Sequence, residues 1–303
     1  MIKTKEIASD SRLTSASVPA QMAMHLIIGL FALACIIPFI FIIIISLTSD
    51  ASIRQNGYSF FPSLWSLEAY ESVFRIGAQL WRSLINSVLI TLVGTISSLF
   101  TCILYAYALF RRDYKHRTFF AFFAFFTMLF GGGLAPTVIV TQALLGTNNY
   151  AVLIIPMLVN VFNIIVMRSF FQSSVPFEII EAAHIDGCGE WRTLIRIVLP
   201  ISTPGVATIG LLNMLAYWNE WFIPRLYVTQ NSFVPLQYLL MRMQQDAQFM
   251  AANSGMPSAE IGNIPTESLR MALCVLIVIP ISLAYPFFQR YIVKGLTVGS
   301  VKG

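Results

Sequence analysis

Apolar residues along this chain are gathered into long runs that contain no charged side chain. Asp, Glu, Lys and Arg are absent from five windows, residues 13–49, 83–110, 118–167, 197–219 and 271–289. A helix needs about 20 mostly apolar residues to cross a membrane, because the hydrocarbon core is about 30 Å thick and each residue adds about 1.5 Å. The pattern therefore predicts an all-α membrane protein.

The longest window, residues 118–167, is too long for one crossing and contains its own turn. Gly146, Thr147, Asn148 and Asn149 separate one apolar run from the next. Divided there, the five windows predict six transmembrane helices. We place these helices near residues 22–47, 83–110, 118–143, 149–171, 201–222 and 268–292.

Composition excludes most other classes of protein. Hydrophobic types make up 57% of the chain and charged types 11%, whereas an average soluble domain has about 25% charged residues. The same hydrophobicity excludes intrinsic disorder. The first apolar run is too long for a secretory signal, and no small-x-small cleavage site follows it before Asp50.

The basic residues predict the orientation of the chain. With the N-terminus inside, thirteen of the 19 Lys and Arg residues fall on the cytoplasmic side, as the positive-inside rule requires. We therefore expect both terminal segments, residues 1–20 and 294–303, to be cytoplasmic. The net charge of +5 is explained in this way without a nucleic-acid partner.

Sequence signals for catalysis, metal binding or ion coupling are lacking. The four cysteines, Cys35, Cys102, Cys188 and Cys274, fall in three spans and one predicted loop, so they form neither a disulfide framework nor a metal-ligand pattern. Neither an H-E-x-x-H pair nor a nucleophile with its base occurs within the spans, which argues against an intramembrane enzyme. A carboxylate near the midplane is also missing, which argues against an ion-coupled carrier.

Two sets of polar residues occupy the later spans. They are Asn160 and Asn163 in the fourth span, and Asn213, Tyr217, Trp218, Asn219, Glu220 and Trp221 in the fifth. Spacings of three and four place residues on one helical face. Amide, hydroxyl and carboxylate groups beside indole rings suit a hydroxylated solute in a translocation pathway. An aromatic belt with interhelical hydrogen bonds explains the same pattern equally well.

Small residues predict how the helices pack. Ser87, Thr91, Gly94 and Ser98 recur at helical spacing in the second span, as close packing in lipid requires. Three consecutive glycines followed by a proline, within residues 131–136, predict a kink or a short re-entrant bend in the third span.

The segment 172–200, between the fourth and fifth spans, has the pattern of two helices joined by a hinge. Pro176 can open a helix at its first position, and Gly187 with Gly189 provides the break that ends it. Apolar residues at i, i+3, i+4 and i+7 from Trp191 then predict a second, amphipathic helix. We expect this unit to project from the cytoplasmic face and to fit a groove on a soluble partner.

The residues of this segment resemble a known motif. Glu181-Ala182-Ala183, followed by Gly187 and then by Ile197-x-Leu199-Pro200, is similar in sequence and spacing to the EAA motif of the membrane subunits of binding-protein-dependent ABC importers. The string from Pro176 to Pro200 resembles the carbohydrate-importer branch. Trp218-Asn219 ahead of Pro224, and the C-terminal residues 294–303, resemble its maltose-type permeases. The triple glycine and residues 217–221 resemble the subgroup that takes up oligosaccharides from complex polysaccharides.

The resemblance implies a type I ABC importer permease, with a cytoplasmic loop of coupling helices over residues 172–200, in a bacterial plasma membrane. It implies that the coupling helices dock into an ATP-binding subunit. The coupling residues are Glu178, Glu181, Ala182, Ala183, Asp186, Gly187, Trp191, Leu199 and Pro200.

The partners implied are a second, homologous six-span permease, a dimer of ATP-binding subunits and an extracytoplasmic sugar-binding lipoprotein. This chain has no G-x-x-x-x-G-K-[ST] loop, so ATP and Mg²⁺ are expected on the partner ATPase and no cofactor or metal on this chain. The outer segment 223–266 is expected to touch the binding protein or to be a passive loop. The family also leaves open an importer of another solute, such as an amino acid or a peptide.

Overall fold

A computed structural model describes residues 18–252 and 267–299, and within these ranges the secondary structure is helical with no β-strand. The all-α prediction is confirmed. Residues 18–70 together with 267–272 form one compact unit, and residues 71–252 together with 273–299 form another. Most of the predicted N-terminal segment, part of the outer segment and the last four residues lie outside the described residues.

The first unit contains helices α1 (Val18–Ser46), α2 (Asp50–Asn56) and the start of α3 (Glu68–Ile76). The large apolar side chains of α1 are mostly exposed, as expected for a helix whose surroundings are lipid or another subunit. Ser49 begins α2, because its side-chain oxygen accepts a hydrogen bond from the Ser52 N–H at 3.3 Å. The Ser46 and Tyr70 hydroxyls lie 2.8 Å apart and link α1 to α3.

The second unit is built around one long helix. Its helices are α4 (Ala78–Phe110), α5 (Arg117–Leu129), α6 (Leu134–Leu145), α7 (Tyr150–Ile154), α8 (Val161–Ser174), α9 (Phe177–Ile185), α10 (Glu190–Thr193), α11 (Leu199–Ile201), α12 (Thr203–Trp218), α13 (Phe222–Tyr227), α14 (Leu236–Ala252) and most of α15 (Glu267–Gly299). A 3₁₀ turn over Ile155–Met157 extends α7, and a π-helical turn over Leu194–Val198 joins α10 to α11.

Three helices of the described chain, α1, α4 and α15, are long and apolar enough to cross a membrane by themselves. Three further pairs of helices meet this test together but are bent at a short break. With each pair counted as one span, the chain has up to six spans, which is the number that the sequence predicts.

One of the three bends was predicted from the sequence, and the other two correct spans that the sequence analysis drew as single helices. The predicted span 118–143 is divided into α5 and α6, with a bend of 117° between them. Gly133 ends this break with a φ of +85°, a conformation that glycine adopts without strain. The predicted interruption is therefore present, and it is a sharp turn that no single straight helix could contain.

The other two bends have different causes. The predicted span 149–171 is bent by 51° between α7 and α8, after a turn that contains Pro156. The predicted span 201–222 begins instead with an 85° bend at Ser202, where Pro204 lies in the first turn of α12. It also ends early, since α12 stops at Trp218 and a separate helix, α13, begins at Phe222.

The small residues of α4 allow close packing, as the sequence predicts. Ser87, Thr91 and Ser98 are buried. A Cβ atom built on Gly94 would lie 2.6 Å from Cε1 of Tyr217 in α12. Because this distance is shorter than any ordinary van der Waals contact, the glycine lets the tyrosine ring lie directly on the backbone of α4.

We predict that Gly94→Ala destabilises the helix pair α4–α12. The added methyl group overlaps a buried ring, and overpacking of this kind costs about 1–3 kcal/mol. The expected result is a lower midpoint of thermal unfolding for the purified protein in detergent. Gly132→Ala is the matched control, because nothing lies within 4 Å of a Cβ at that position; equal midpoints for the two variants would contradict the packing assignment.

Candidate functional site

The segment predicted to couple the chain to its ATPase is a helix, a glycine turn and a second helix. We call residues 177–201 the 177–201 unit. Helix α9 follows Pro176, which lies one position before the helix rather than at its first residue. After Asp186, Gly187 has a φ of +75°, and the Cys188 N–H donates to the Ala183 carbonyl at 2.9 Å. This bond and the left-handed glycine form a Schellman ending, so the break predicted at Gly187 is confirmed.

One side of the 177–201 unit is packed against the hydrophobic core that α4 and α8 form. Ile180 and Ala183 in α9, and Leu194 and Val198 in the following helix, are buried. Phe110 at the end of α4 contacts this side, since its ring lies 5.2 Å from the ring of Phe177 between centroids. The apolar contacts therefore hold both helices of the unit against α4.

The exposed part of the unit carries large apolar side chains as well as charged ones. Ile179, Ile185, Trp191 and Ile195 are large apolar side chains with high exposure, and Ile185 is 87% exposed. We call these four residues the exposed apolar face. Exposed apolar groups gathered in this way mark a surface for a partner.

The residues predicted for ATPase coupling divide between the two sides. Those exposed to solvent are Glu178, Glu181, Ala182, Asp186, Gly187, Trp191 and Pro200. Ala183 is buried and Leu199 is half-buried. The predicted apolar stripe of the second helix is also divided, because Leu194 and Val198 are buried whereas Trp191 and Ile195 are exposed.

A polar cluster that the sequence analysis missed joins this unit to α4. Arg111, just after α4, contacts Asp113, Glu190 and His184, and Tyr107 donates to Glu190 at 2.7 Å. We call these five residues the Arg111 cluster. The bond to Asp113 raises the pKa of Arg111, and Arg111 in turn holds the pKa of the Asp113 carboxyl below its usual range. The signal in the sequence was a basic residue at the end of an apolar run, which the positive-inside rule already explained.

Two asparagines predicted for the translocation pathway are bonded to each other. Nδ2 of Asn163 in α8 donates to Oδ1 of Asn213 in α12 at 2.7 Å, and both side chains are buried. Asn160, in contrast, is exposed. Its side-chain oxygen accepts from the Asn163 N–H at 3.1 Å and so begins α8.

The aromatic residues at the end of α12 are also used in packing. Tyr217 donates to the Ile154 carbonyl at 3.0 Å, and Trp218 Nε1 donates to the Ile277 carbonyl at 3.2 Å. Ile154 lies beside the break after α7, and Ile277 lies within α15, three residues before a proline of that helix, Pro280. The Tyr217 and Trp218 side chains are both buried, which agrees with the interhelical hydrogen bonds that the sequence analysis kept as an alternative.

The remaining three residues of this set lie at the turn between α12 and α13. Asn219 ends α12 and is exposed. Oε1 of Glu220 accepts from the Phe222 N–H at 2.7 Å and from the Ile223 N–H at 2.8 Å, so it caps α13. Trp221 is half-buried and meets the Phe222 ring edge-on at 5.7 Å between centroids.

A recess of about 600 Å³ opens where α4, α5 and the start of α8 meet. Its walls include Tyr105, Phe123, Thr127, Asn160 and Phe162. The volume is in the range of small-molecule sites in proteins, about 300–1,000 Å³. Among the described residues, His, Cys, Asp and Glu side chains form no group that could hold a metal ion.

Comparison with known proteins identifies the class of this chain. The model of the family described as "Binding-protein-dependent transport system inner membrane component" matches residues 118–298. The chain therefore belongs to this family, and it is a membrane permease subunit of an ABC importer rather than an enzyme.

Similarity to individual proteins extends over nearly the whole chain. The chain is 37% identical to the polygalacturonan/rhamnogalacturonan transport system permease protein YtcP of Bacillus subtilis (strain 168), over 93% of this chain and 98% of that protein. It is 37% identical to the protein LplC of the same organism, over 88% and 90% of the two chains. Among solved structures, it is similar to a bacterial ABC transporter involved in the import of the acidic polysaccharide alginate, with a TM-score of 0.75, 29% identity, and 89% and 95% of the two chains covered.

We predict that the Asn163–Asn213 pair is worth about 0.6 kcal/mol and at most ~1.7 kcal/mol, the range of side-chain hydrogen bonds between membrane helices. Asn163→Ala and Asn213→Ala should each lower the unfolding midpoint, and the double variant should lower it by less than the sum of the two. A double-mutant cycle in detergent measures this difference. Strict additivity would show that the bond contributes nothing.

Proposed function

We propose that this chain is one half of the permease of an ATP-driven importer for a carbohydrate, an oligosaccharide derived from a complex polysaccharide. A binding protein outside the cell delivers the solute, and a second, homologous permease completes the pathway. A dimer of ATP-binding subunits docks on the 177–201 unit, which lies on the cytoplasmic side together with both termini. The observation that carries this proposal is that the 177–201 unit has one side buried against the core and another side exposed.

The exposed apolar face supports a docking role. Trp191 is 62% exposed and Ile185 is 87% exposed on a segment that also carries exposed charged residues, and exposed apolar side chains of this size are available to a partner. Glu181 and Glu178 lie on the same helix and are also exposed, so they are available to basic groups of a partner. The buried side of the unit would then transmit the partner's movement to α4 and α8.

The break between α7 and α8 supports a pathway at the recess. Backbone that is not helical is tolerated at membrane depth only where it is buried in protein or lines a water-filled cavity. Val159 at this break is 55% exposed, Asn160 beside it is exposed, and both line the recess. The break is therefore explained if solute and water pass along it.

The lining of the recess supports a carbohydrate. Phe123, Phe162 and Tyr105 offer ring faces, which pack against the apolar faces of sugar rings, and the Asn160 amide offers a donor and an acceptor for hydroxyl groups. The relative YtcP is named as a permease of a polygalacturonan/rhamnogalacturonan transport system, and the similar solved transporter is involved in the import of the acidic polysaccharide alginate. These names favour an oligosaccharide over an amino acid or a peptide.

We predict that Gly187→Ala uncouples ATP hydrolysis from uptake. Alanine in the left-handed conformation costs about 1 kcal/mol or more, so the turn between α9 and α10 should change shape and the unit should fit its partner poorly. The measurement is solute uptake per ATP hydrolysed, by the complete importer in proteoliposomes.

Gly189→Ala is the matched control for this experiment. Gly189 has a φ of −73° and open space where a Cβ would be, so alanine fits without strain. Normal coupling is expected for Gly189→Ala, and normal coupling in both variants would contradict a docking role for the turn.

We also predict that Asn160→Ser changes which oligosaccharides stimulate ATP hydrolysis. Serine keeps the helix cap but removes the amide from the recess. Asn149→Ser is the control, because Asn149 caps α7 in the same way, accepting from the Val152 N–H at 3.0 Å. ATPase activity of the complete importer, with its binding protein and a panel of oligosaccharides, measures the effect; identical profiles for the two variants would remove Asn160 from the pathway.

A further inference from the structure

The Arg111 cluster brings together side chains from both helices of the 177–201 unit and from α4. His184 lies near the end of α9, and Glu190 begins α10. Nη2 of Arg111 lies 3.0 Å from Oε1 of Glu190, and Nη1 lies 3.2 Å from Nε2 of His184. A single guanidinium thus contacts the two helices on either side of the Gly187 turn.

Arg111 is held firmly in this position. Its side chain is only 8% exposed, and a guanidinium removed from water is stable only when its donors are paired. Asp113 accepts from Nε at 2.9 Å and also contacts Nη2, which fixes the plane of the group. Tyr107, one turn earlier in α4, adds its bond to Glu190 at 2.7 Å.

The apolar contacts of the unit do not fix its position in the same way. Phe110 and Phe177 lie at a tilted angle of 41°, and van der Waals contacts of this kind change little when one side chain slides along another. Charge-assisted hydrogen bonds depend on both distance and direction. The polar cluster therefore resists sliding of the unit along α4, together with the Arg112 guanidinium, which lies 4.0 Å from the centroid of the Phe177 ring.

We propose that Arg111 is a positioning residue that joins the coupling unit to α4, so that displacement of α9 and α10 by the ATPase moves α4 with them. This proposal rests on the proposed docking function. Helix α4 packs against both α8 and α12, so its movement reaches the walls of the recess. Without the cluster, the unit would shift on α4 and part of the displacement would be lost.

The test uses the complete importer in proteoliposomes, with uptake per ATP hydrolysed as the main readout. Arg111→Gln should lower this ratio roughly tenfold, since hydrogen bonds to a charged group are lost. Arg111→Lys should restore part of it, because it keeps the charge without the planar fork. Lys115→Gln is the control: Lys115 is exposed in the same connection after α4, and the ratio should stay normal.

Assembly and stability separate a positioning role from a merely structural one. The Arg111→Gln importer should retain its ATPase subunits through purification, and its coupling ratio should be low even when it is measured well below the unfolding midpoint of that variant. If this variant fails to assemble, Tyr107→Phe, which removes one hydroxyl, should still lower the ratio. A normal ratio in every assembled variant would overturn the proposal, as would a loss of uptake that only follows the amount of complex.

Failure of the proposed function and failure of the Arg111 proposal give different results in the same assay. If the 177–201 unit does not dock on the ATPase, Gly187→Ala will couple normally. If the unit docks but the Arg111 cluster does not transmit its movement to α4, the Gly187→Ala importer will be uncoupled and the Arg111→Gln importer will not. The two failures are therefore distinguishable.

Discussion

Backbone carbonyl groups at helix breaks need hydrogen-bond donors wherever water is excluded, and this requirement organises the second unit. Ser98 of α4 donates to the Leu158 carbonyl at 3.0 Å, and Tyr217 of α12 donates to the Ile154 carbonyl. Both carbonyls lie beside the break between α7 and α8. In lipid each unsatisfied group would cost several kcal/mol, so α4 and α12 must lie close to this break. The glycine at position 94 permits that approach.

The same requirement separates polar residues that hold helices together from those available to a solute. Tyr217 and Trp218 are buried with their donors bonded to backbone carbonyls, and Asn163 is bonded to Asn213. If any of these four side chains turned to a solute, a buried group that is now bonded would lose its partner. Nδ2 of Asn213, in contrast, has no hydrogen-bond partner in the described part of the chain. Asn160 uses only its oxygen for the cap and faces the recess. The proposed solute contact therefore lies where a helix begins, whereas the bonded side chains on the helix faces are used in packing.

Local features of the fold could be predicted from the sequence, and distant contacts could not. Uninterrupted apolar windows predict the spans, and Gly187 predicts the turn, because each effect depends on neighbouring residues. The size of the bend at Gly133 depends on how α5 and α6 pack, which no local pattern states. A regular helical stripe places Trp191 and Ile195 together with Leu194 and Val198, but the π-helical turn over Leu194–Val198 departs from the regular period, and the first two residues are exposed while the other two are buried. The bond between Tyr107 and Glu190 joins residues 83 positions apart, and one sequence gives no sign of it.

In the proposed function, the 177–201 unit transmits movement only if it is bound on both sides. The two sides differ in their chemistry for a physical reason. In the proposed function the exposed face contacts a separate subunit, and apolar side chains beside exposed carboxylates suit such a contact. The buried face must never separate, and it combines close packing with a buried, fully paired guanidinium, whose loss would leave charges unpaired. Because Arg111 contacts residues on both sides of the glycine turn, bending at Gly187 changes the distance between His184 and Glu190 and is opposed by the cluster. The Gly187 turn therefore sets the shape of the 177–201 unit, and in the proposed mechanism the Arg111 cluster opposes a change of that shape when the ATPase displaces the unit.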